Sequence, residues 1–177
     1  QGDVAAMVQV ARAYTSGNGA PIDMEKGRVW LERAAEKGSI EARMWLGAAY
    51  LSGRMLPQNK ELAAKYLLPV AEAQDVGADL KGSQALAQYW LSLMYAKGSG
   101  VQQSQVKALQ LLQLSAENGN PSALFDLASL YNEGTGGLSL DIPHACALFE
   151  KAADQGSVKA MHNTGNCYLE GTGGKKD

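Results

Sequence analysis

Two histidines, His144 and His162, and two cysteines, Cys146 and Cys167, are the side chains of this sequence best suited to metal binding or nucleophilic chemistry. Imidazole nitrogen and thiolate sulfur are the usual ligands of zinc. The spacing argues against such a site, because His162 and Cys167 are five residues apart and so lie on different faces of one helix. We therefore predict no metal site. We also predict no Cys–His nucleophile, because nothing in the sequence marks an oxyanion hole or an orienting acid.

The two cysteines can instead be interpreted as a disulfide. Cys146 lies ten residues before Gly156, and Cys167 lies eleven residues after it. If the flanking helices run antiparallel around that glycine, both thiols lie at the same height, about 15 Å of helix from the turn. Bonding then depends on which way each side chain faces, so two inert buried thiols fit the sequence equally well. A disulfide favours a periplasmic or secreted protein, and free thiols favour a cytoplasmic one.

Glycine-rich segments and carboxylates offer no stronger chemistry. The segments GNG, GSG and GTGG lack the preceding strand and the lysine of a phosphate-binding loop. They recur at the same place in successive units, which is typical of turns. The carboxylates are scattered over predicted solvent-facing helix surfaces. We therefore expect no catalytic residue, no cofactor and no small-molecule substrate.

An internal repeat determines the elements that carry these residues. Five segments end in tyrosine, each with an alanine eight residues earlier, a small residue three earlier and a glycine three later. The tyrosines are Tyr14, Tyr50, Tyr95, Tyr131 and Tyr168. They are 36, 45, 36 and 37 residues apart, so the long interval has about nine extra residues, which lie around 74–83. Self-similarity at such a period predicts a solenoid.

Each unit of the repeat has the pattern of two helices. Apolar or small residues recur at positions −8, −4, −3 and 0 relative to the tyrosine, which is one stripe of a helix with 3.6 residues per turn. A second stripe follows, as at Gly27, Trp30, Leu31 and Ala34. We predict one domain with units 2–38, 39–82, 83–119, 120–156 and a partial 157–177. Predicted helix N-caps are Ser39, Asn59, Ser83, Ser104, Asn120, Asp141 and Ser157.

Small residues at fixed positions predict close helix crossings. Gly47 and Gly165 occupy the same repeat position, where a missing Cβ would let two helices approach each other. The tyrosine ring is expected to fill the space between units. Pro69 is expected to kink the second helix of its unit, because proline removes one helical hydrogen bond.

The pattern A-x3-LG-x2-Y-x2-G-x-G, followed by D-x2-KA-x2-W-x3-AA-x-G, resembles the Sel-one-like repeat (SLR) family, a relative of the tetratricopeptide repeat. The best local match includes Asp23, Lys26, Trp30, Ala34, Ala35, Gly38, Ala42, Leu46, Gly47, Tyr50 and Gly53. The resemblance extends over essentially the whole chain. It implies an all-α fold, a right-handed α/α superhelix of antiparallel helix pairs with about four and a half repeats.

The resemblance also implies a partner-binding surface. In tetratricopeptide repeats the first helix of each unit lines the concave side and binds partners, with positions that include −6, −5 and −2 relative to the tyrosine equivalent. Carried over to this sequence, the predicted partner-binding residues are Arg12, Met44, Trp45, Tyr89, Trp90, Leu93, Phe125 and Asp126.

Two tryptophans stand out on this surface, because Trp45 and Trp90 share position −5. The other units carry Gln9, Asp126 and Asn163 there. A packing position would not accept such different side chains, so we expect it to face outward and to form an aromatic patch typical of binding anchors. The alternative is that the rings cover a gap caused by the insertion. Trp30 is predicted to be core, because its equivalents are all apolar.

Composition narrows the class of partner. The net charge is −2 with acids and bases interspersed, which argues against nucleic acid. No apolar run approaches the roughly 20 residues of a membrane span. The chain begins at Gln1, almost directly in a helix, and ends at GTGGKKD, where a further helix is expected. We therefore expect it to be a processed or trimmed piece of a longer protein.

The function implied by the resemblance is a non-enzymatic scaffold or adaptor that binds a partner protein or peptide on its concave face. One alternative is a bacterial periplasmic immunity protein that neutralises a type six secretion effector such as a lipase. A remote alternative is an enzyme that binds or hydrolyses β-lactams. Relatives with that activity carry a cysteine pair in most units, whereas this chain has one pair in total.

Overall fold

The computed structural model describes residues 3–74 and 76–171, and all regular structure in these residues is helical. Nine helices are found there. They are α1 (Val4–Ser16), α2 (Met24–Glu36), α3 (Ile40–Ser52), α4 (Lys60–Ala71), α5 (Ala78–Lys97), α6 (Gln105–Glu117), α7 (Pro121–Glu133), α8 (Ile142–Asp154) and α9 (Val158–Glu170).

Helix ends follow from the cap residues of the repeat. Asp, Ser or Asn side chains accept a backbone N–H at the start of every helix except α5, as Ser39 does from Ala42. The glycine three residues after each tyrosine ends the first helix of its unit in the left-handed conformation, for example Gly53 at φ 70°. L side chains adopt this conformation at a cost, which explains the fixed glycine.

The odd-numbered helices are the first helices of the units, and the even-numbered helices are the second. Helices α1 to α8 form four consecutive hairpins, and each hairpin packs on the next in chain order. The buried residues form two clusters, one from Val8 to Ala108 and the other from Leu112 to Cys167. A core in which each unit contacts its neighbours is that of a solenoid. The predicted all-α solenoid of antiparallel helix pairs is confirmed.

The tyrosine stripe fills the space between units to different extents. Tyr50 and Tyr95 are 7% and 9% exposed. The Tyr50 ring stacks on that of Tyr66, with centroids 6.0 Å apart. Tyr168 on the last described helix is 37% exposed, and its hydroxyl donates to Glu150 Oε1 at 2.5 Å. The stripe is therefore most buried in the second and third units.

The predicted glycine crossing is confirmed for Gly47; at Gly165 the second half of the unit lies outside the described residues, so the crossing stays a prediction there. A Cβ at Gly47 would lie 2.6 Å from Leu67 Cδ2, so α3 and α4 cross here only because the side chain is absent. A Cβ at Gly165 would have no described atom within 4 Å beyond its own helix backbone and chain neighbours. The same repeat position is thus tightly packed in the middle of the stack and open at its last described helix.

The insertion contains the main departure from the predicted elements. Ser83 is not an N-cap, because α5 begins five residues earlier, at Ala78, and runs for 20 residues. Pro69 lies inside α4, which ends two residues later at Ala71. Two buried glutamines hold this end: Gln88 Nε2 donates to Ala71 O at 3.1 Å, and Gln84 Nε2 donates to Ala73 O at 2.7 Å. These bonds satisfy one carbonyl at the last residue of α4 and one just after it, where no helical partner is available.

Candidate functional site

One groove runs between α1 and α3, with α2 as its floor. This α1–α3 groove has a volume of about 300 Å³. Its lining consists of Val8, Arg12, Thr15, Leu31, Glu41, Met44 and Trp45. Three predicted partner-binding residues, Arg12, Met44 and Trp45, are therefore brought together in one groove between two first helices.

An ion pair links the rims of the α1–α3 groove. The Arg12 guanidinium donates to Glu41 Oε1, which ties α1 to α3. The two side chains are 59% and 48% exposed, so the pair contributes little to stability. Its charges are accessible at the groove edge, while the groove interior is apolar.

The two predicted anchor tryptophans are half-buried. Both Trp45 and Trp90 pack against the first core cluster, and both keep part of the indole accessible. In α3, α5 and α7, position −5 therefore faces the seam between successive first helices rather than open solvent, whereas Gln9 on α1 is exposed. Asp126 occupies the same position on α7 and contacts α5 across the seam. A position on this seam accepts both an indole and a carboxylate, because it contacts the apolar core on one side and solvent on the other.

A second groove lies between α5 and α7, with α6 as its floor. This α5–α7 groove has a volume of about 340 Å³. Its lining is mostly aliphatic and consists of Ser92, Leu93, Ala96, Gln105, Ala108, Leu109, Leu112, Asp126, Ser129, Leu130 and Gly136. It contains two further predicted binding residues, Leu93, which is 38% exposed, and Asp126.

A hydrogen bond links α5 to α7 beside the α5–α7 groove. The Tyr89 hydroxyl donates to Asp126 Oδ2 at 2.9 Å. Burial, followed by the nearby Asp126 charge, raises the pKa of Tyr89 to about 12, so it is a neutral donor at physiological pH. Burial also raises the pKa of Asp126, against the opposing effects of the Tyr89 hydrogen bond and the Lys159 charge.

Predicted site residues on α5 and α7 also take part in core packing. The Phe125 ring packs against that of Phe149, with centroids 5.5 Å apart, and contacts the second core cluster. Trp90 contacts the first cluster, whereas its neighbour Tyr89 contacts the second. The side chains of Tyr89 and Trp90 thus pack into different parts of the core, and the structure does not gather them with Trp45 in one groove.

A larger groove was not predicted from the sequence. It lies on the side of the second helices, between α6 and α8 over α7, and has a volume of about 670 Å³. Polar side chains such as Gln113, Glu117 and Lys151 alternate with apolar ones along it, and the His144 ring lies edge-on to Tyr131 at 4.5 Å. The binding positions known from tetratricopeptide repeats lie on first helices, so no pattern in the sequence pointed to this α6–α8 groove on the second helices.

The two cysteines come together between α8 and α9. The structure joins Cys146 to Cys167 by a disulfide, with Cα atoms 5.9 Å apart. Both are buried, at 3% and 9% exposure. His144 and His162 are exposed, and residues 3–74 and 76–171 contain no group of three His, Cys, Asp or Glu side chains that could hold a metal ion. No helix in the described part of the chain is long and apolar enough to cross a bilayer.

Comparison with known proteins agrees with this architecture. The chain is similar to a protective antigen present in uropathogenic Escherichia coli strains that displays an SLR fold, at 30% identity and a TM-score of 0.79, over 96% of this chain and 34% of that one. It is also similar to a Sel1 repeat protein from Oxalobacter formigenes, at 24% identity and a TM-score of 0.77, over 98% of this chain and 66% of that one.

Among curated proteins, the chain is similar to the alginate biosynthesis protein AlgK of Azotobacter vinelandii. The two are 29% identical over 104 residues, and this match covers 59% of the present chain. The match spans 20% of that relative's length. The Sel1 repeat model matches residues 4–39, 40–75, 85–120, 121–157 and 158–177. These five consecutive matches extend over nearly all of the sequence, and the chain therefore belongs to the Sel1 repeat family.

Proposed function

We propose that this chain is a non-enzymatic scaffold that binds a segment of a partner protein along the seam of its first helices. Sel1 repeat proteins generally act in protein–protein interaction, and the family is typically non-enzymatic. The observation that carries the proposal is the pair of grooves on this seam. The α1–α3 groove contains Arg12, Met44 and Trp45, and the α5–α7 groove contains Leu93 and Asp126.

The chemistry of both grooves suits a polypeptide ligand. Each has an apolar interior with a charged or hydroxyl group at its edge. Protein interfaces have the same organisation, an apolar centre with a polar rim, and aromatic side chains provide much of their binding energy. Trp45 is such an aromatic side chain, held in place by the core on one side and accessible to a ligand on the other.

The experiment compares three tryptophan variants in affinity capture from the organism that encodes the chain. Trp45→Ala and Trp90→Ala should each weaken partner binding by about 2 kcal/mol. Trp30→Ala is the matched control, because Trp30 is also half-buried against the first cluster but belongs to the second helix α2. All three substitutions should lower the free energy of unfolding by about 1–3 kcal/mol. This is less than the cost of removing a fully buried tryptophan, because each of these rings is only half-buried.

The pattern of binding loss therefore decides the test. Loss of the partner with the first-helix variants and retention with Trp30→Ala supports the proposal. Retention of full affinity by both Trp45→Ala and Trp90→Ala, at a stability equal to that of the control, contradicts it.

The disulfide favours a second, more specific candidate, a periplasmic immunity protein that neutralises a secreted effector such as a lipase. Disulfides form and persist mainly in oxidising compartments, including the bacterial periplasm. The Cys146–Cys167 bond thus supports an extracytoplasmic location. Co-expression with the toxin encoded by a neighbouring gene tests this role: restored growth of the host supports it, and unrelieved toxicity contradicts it.

A further inference from the structure

We infer that the α5–α7 groove selects a partner segment in which a lysine or arginine stands next to an aliphatic residue. This inference rests on the proposed function and names the chemistry of the ligand at one of its two grooves. Three features of the groove carry it: a carboxylate that forms no ion pair within the described residues, an aliphatic wall beside that carboxylate, and a neutral donor that orients it.

The carboxylate is that of Asp126, which is half-buried and lines the groove. Its hydrogen-bond partner is the neutral Tyr89 hydroxyl, at 2.9 Å. None of the ion pairs formed by the described residues includes Asp126. The α1–α3 groove differs in this respect, because its carboxylate, Glu41, is already paired with Arg12. Asp126 is thus the groove acid that is available to a cation from a partner.

Aliphatic side chains continue from Asp126 along the groove. Leu93 on α5, Leu109 on α6 and Leu130 on α7 line its walls and floor. A lysine or arginine buries its methylene stem against apolar surface while the charged head reaches an acid. An adjacent aliphatic residue of the partner would fill the remaining space, since about 340 Å³ lies near the lower end of the ligand-pocket range.

The groove maintains this charge at a cost to the folded state. Burial raises the pKa of Asp126, so the folded state favours the protonated form more than the unfolded chain does. Protonated Asp126 therefore contributes to the free energy of unfolding at pH values below its unfolded pKa, and this contribution is lost as the pH rises through the folded pKa. The groups around the Tyr89–Asp126 pair are Ser122 of α7, which interacts with Tyr89, and Lys159 of α9, whose charge acts on Asp126. Such a costly charge in a groove is typical of a binding site.

The experiment selects short random peptides, displayed on phage, on the wild-type chain. The strongest peptide is then synthesised with a fluorescent label, both unchanged and with its basic residue replaced by norleucine. Anisotropy titrations measure both peptides against the wild type, Asp126→Asn and the control Asp154→Asn, an exposed aspartate at the end of α8. Asparagine retains an oxygen that can accept from Tyr89, so Asp126→Asn should melt at or above the wild-type temperature.

We expect the selected peptides to share a lysine or arginine beside an aliphatic residue. Asp126→Asn or the norleucine replacement should each weaken binding about tenfold, and both together should cause little further loss, because the two groups interact with each other. Asp154→Asn should bind as the wild type does.

The competing outcomes separate this inference from the proposed function. A peptide that loses binding to the Leu93→Glu variant occupies the groove. If such peptides lack a basic residue, or bind Asp126→Asn as tightly as the wild type, the inference is wrong and the proposed function still stands. Failure to select any peptide that depends on Leu93 contradicts both.

Discussion

Replacing Gly47 with alanine tests the packing of the stack at a close helix crossing, where α3 meets α4. The new Cβ would lie 2.6 Å from Leu67 Cδ2 and 2.7 Å from Leu67 Cγ. Leu67 is fully buried, at 0% exposure, so its side chain has little room to move away. Overpacking of this kind costs about 1–3 kcal/mol. Alanine also stabilises a helix by about 1 kcal/mol relative to glycine, so the expected net loss is about 1 kcal/mol.

The matched control is Gly165→Ala, at the same repeat position on α9. A Cβ there meets no described atom within 4 Å outside its own helix and chain neighbours, so only the gain in helix propensity applies. The free energy of unfolding should therefore fall for Gly47→Ala and rise by about 0.5–1 kcal/mol for Gly165→Ala. Urea denaturation followed by circular dichroism measures both, and melting temperatures should differ by several degrees.

A second substitution identifies the clash partner. Leu67→Ala alone should cost about 2–5 kcal/mol by leaving a cavity, and it should cost less in the Gly47→Ala background, where the new methyl group fills part of that space. Equal effects of alanine at both glycines, or additive effects at Gly47 and Leu67, would refute the close-crossing argument.

The remaining predictions concern the disulfide and the groove tyrosine. Reduction, or the Cys146→Ser/Cys167→Ser double variant, should lower the free energy of unfolding by about 3 kcal/mol, since the bond closes a loop across 21 residues; an unchanged denaturation midpoint with and without reductant would contradict a bond in the folded protein. Tyr89, with its pKa raised to about 12, stabilises the folded state below its unfolded pKa near 10, and this contribution is lost as pH rises through 12. Tyr89→Phe should therefore reduce the loss of stability between about pH 10 and 12, and phenolate absorbance should show one tyrosine fewer ionising in the highest part of the titration; identical curves for both proteins would contradict this assignment.

Repetition made the fold predictable from the sequence. Cap residues before the helices and glycine after each tyrosine recur in every unit, so local signals and long-range packing indicate the same elements. The insertion broke this agreement. Ser83 has the chemistry of an N-cap, yet α5 begins at Ala78 without a side-chain cap. Buried Gln84 and Gln88 bind carbonyls at the end of α4, and such tertiary bonds leave no periodic trace in the sequence.

The candidate site was predictable in position but not in orientation. The shared position of Trp45 and Trp90 indicated a surface of variable chemistry, and the structure places both rings half-buried at the seam between first helices. For the cysteines, the antiparallel turn fixed their common height, whereas their facing depended on how α9 packs on α8. Phe125 shows the same limit, because only the packed structure reveals its contact with Phe149.

The central claim is that the stacked hairpins present the first-helix seam to a partner polypeptide. The most direct measurement is photo-crosslinking in cells with benzoylphenylalanine at Met44 or Leu93, which line the two seam grooves, and at Lys151, which lines the α6–α8 groove on the other side. We predict that Met44 and Leu93 crosslink to the same partner protein and that Lys151 does not. Crosslinking from Lys151 alone would place the binding surface on the second helices and contradict the account.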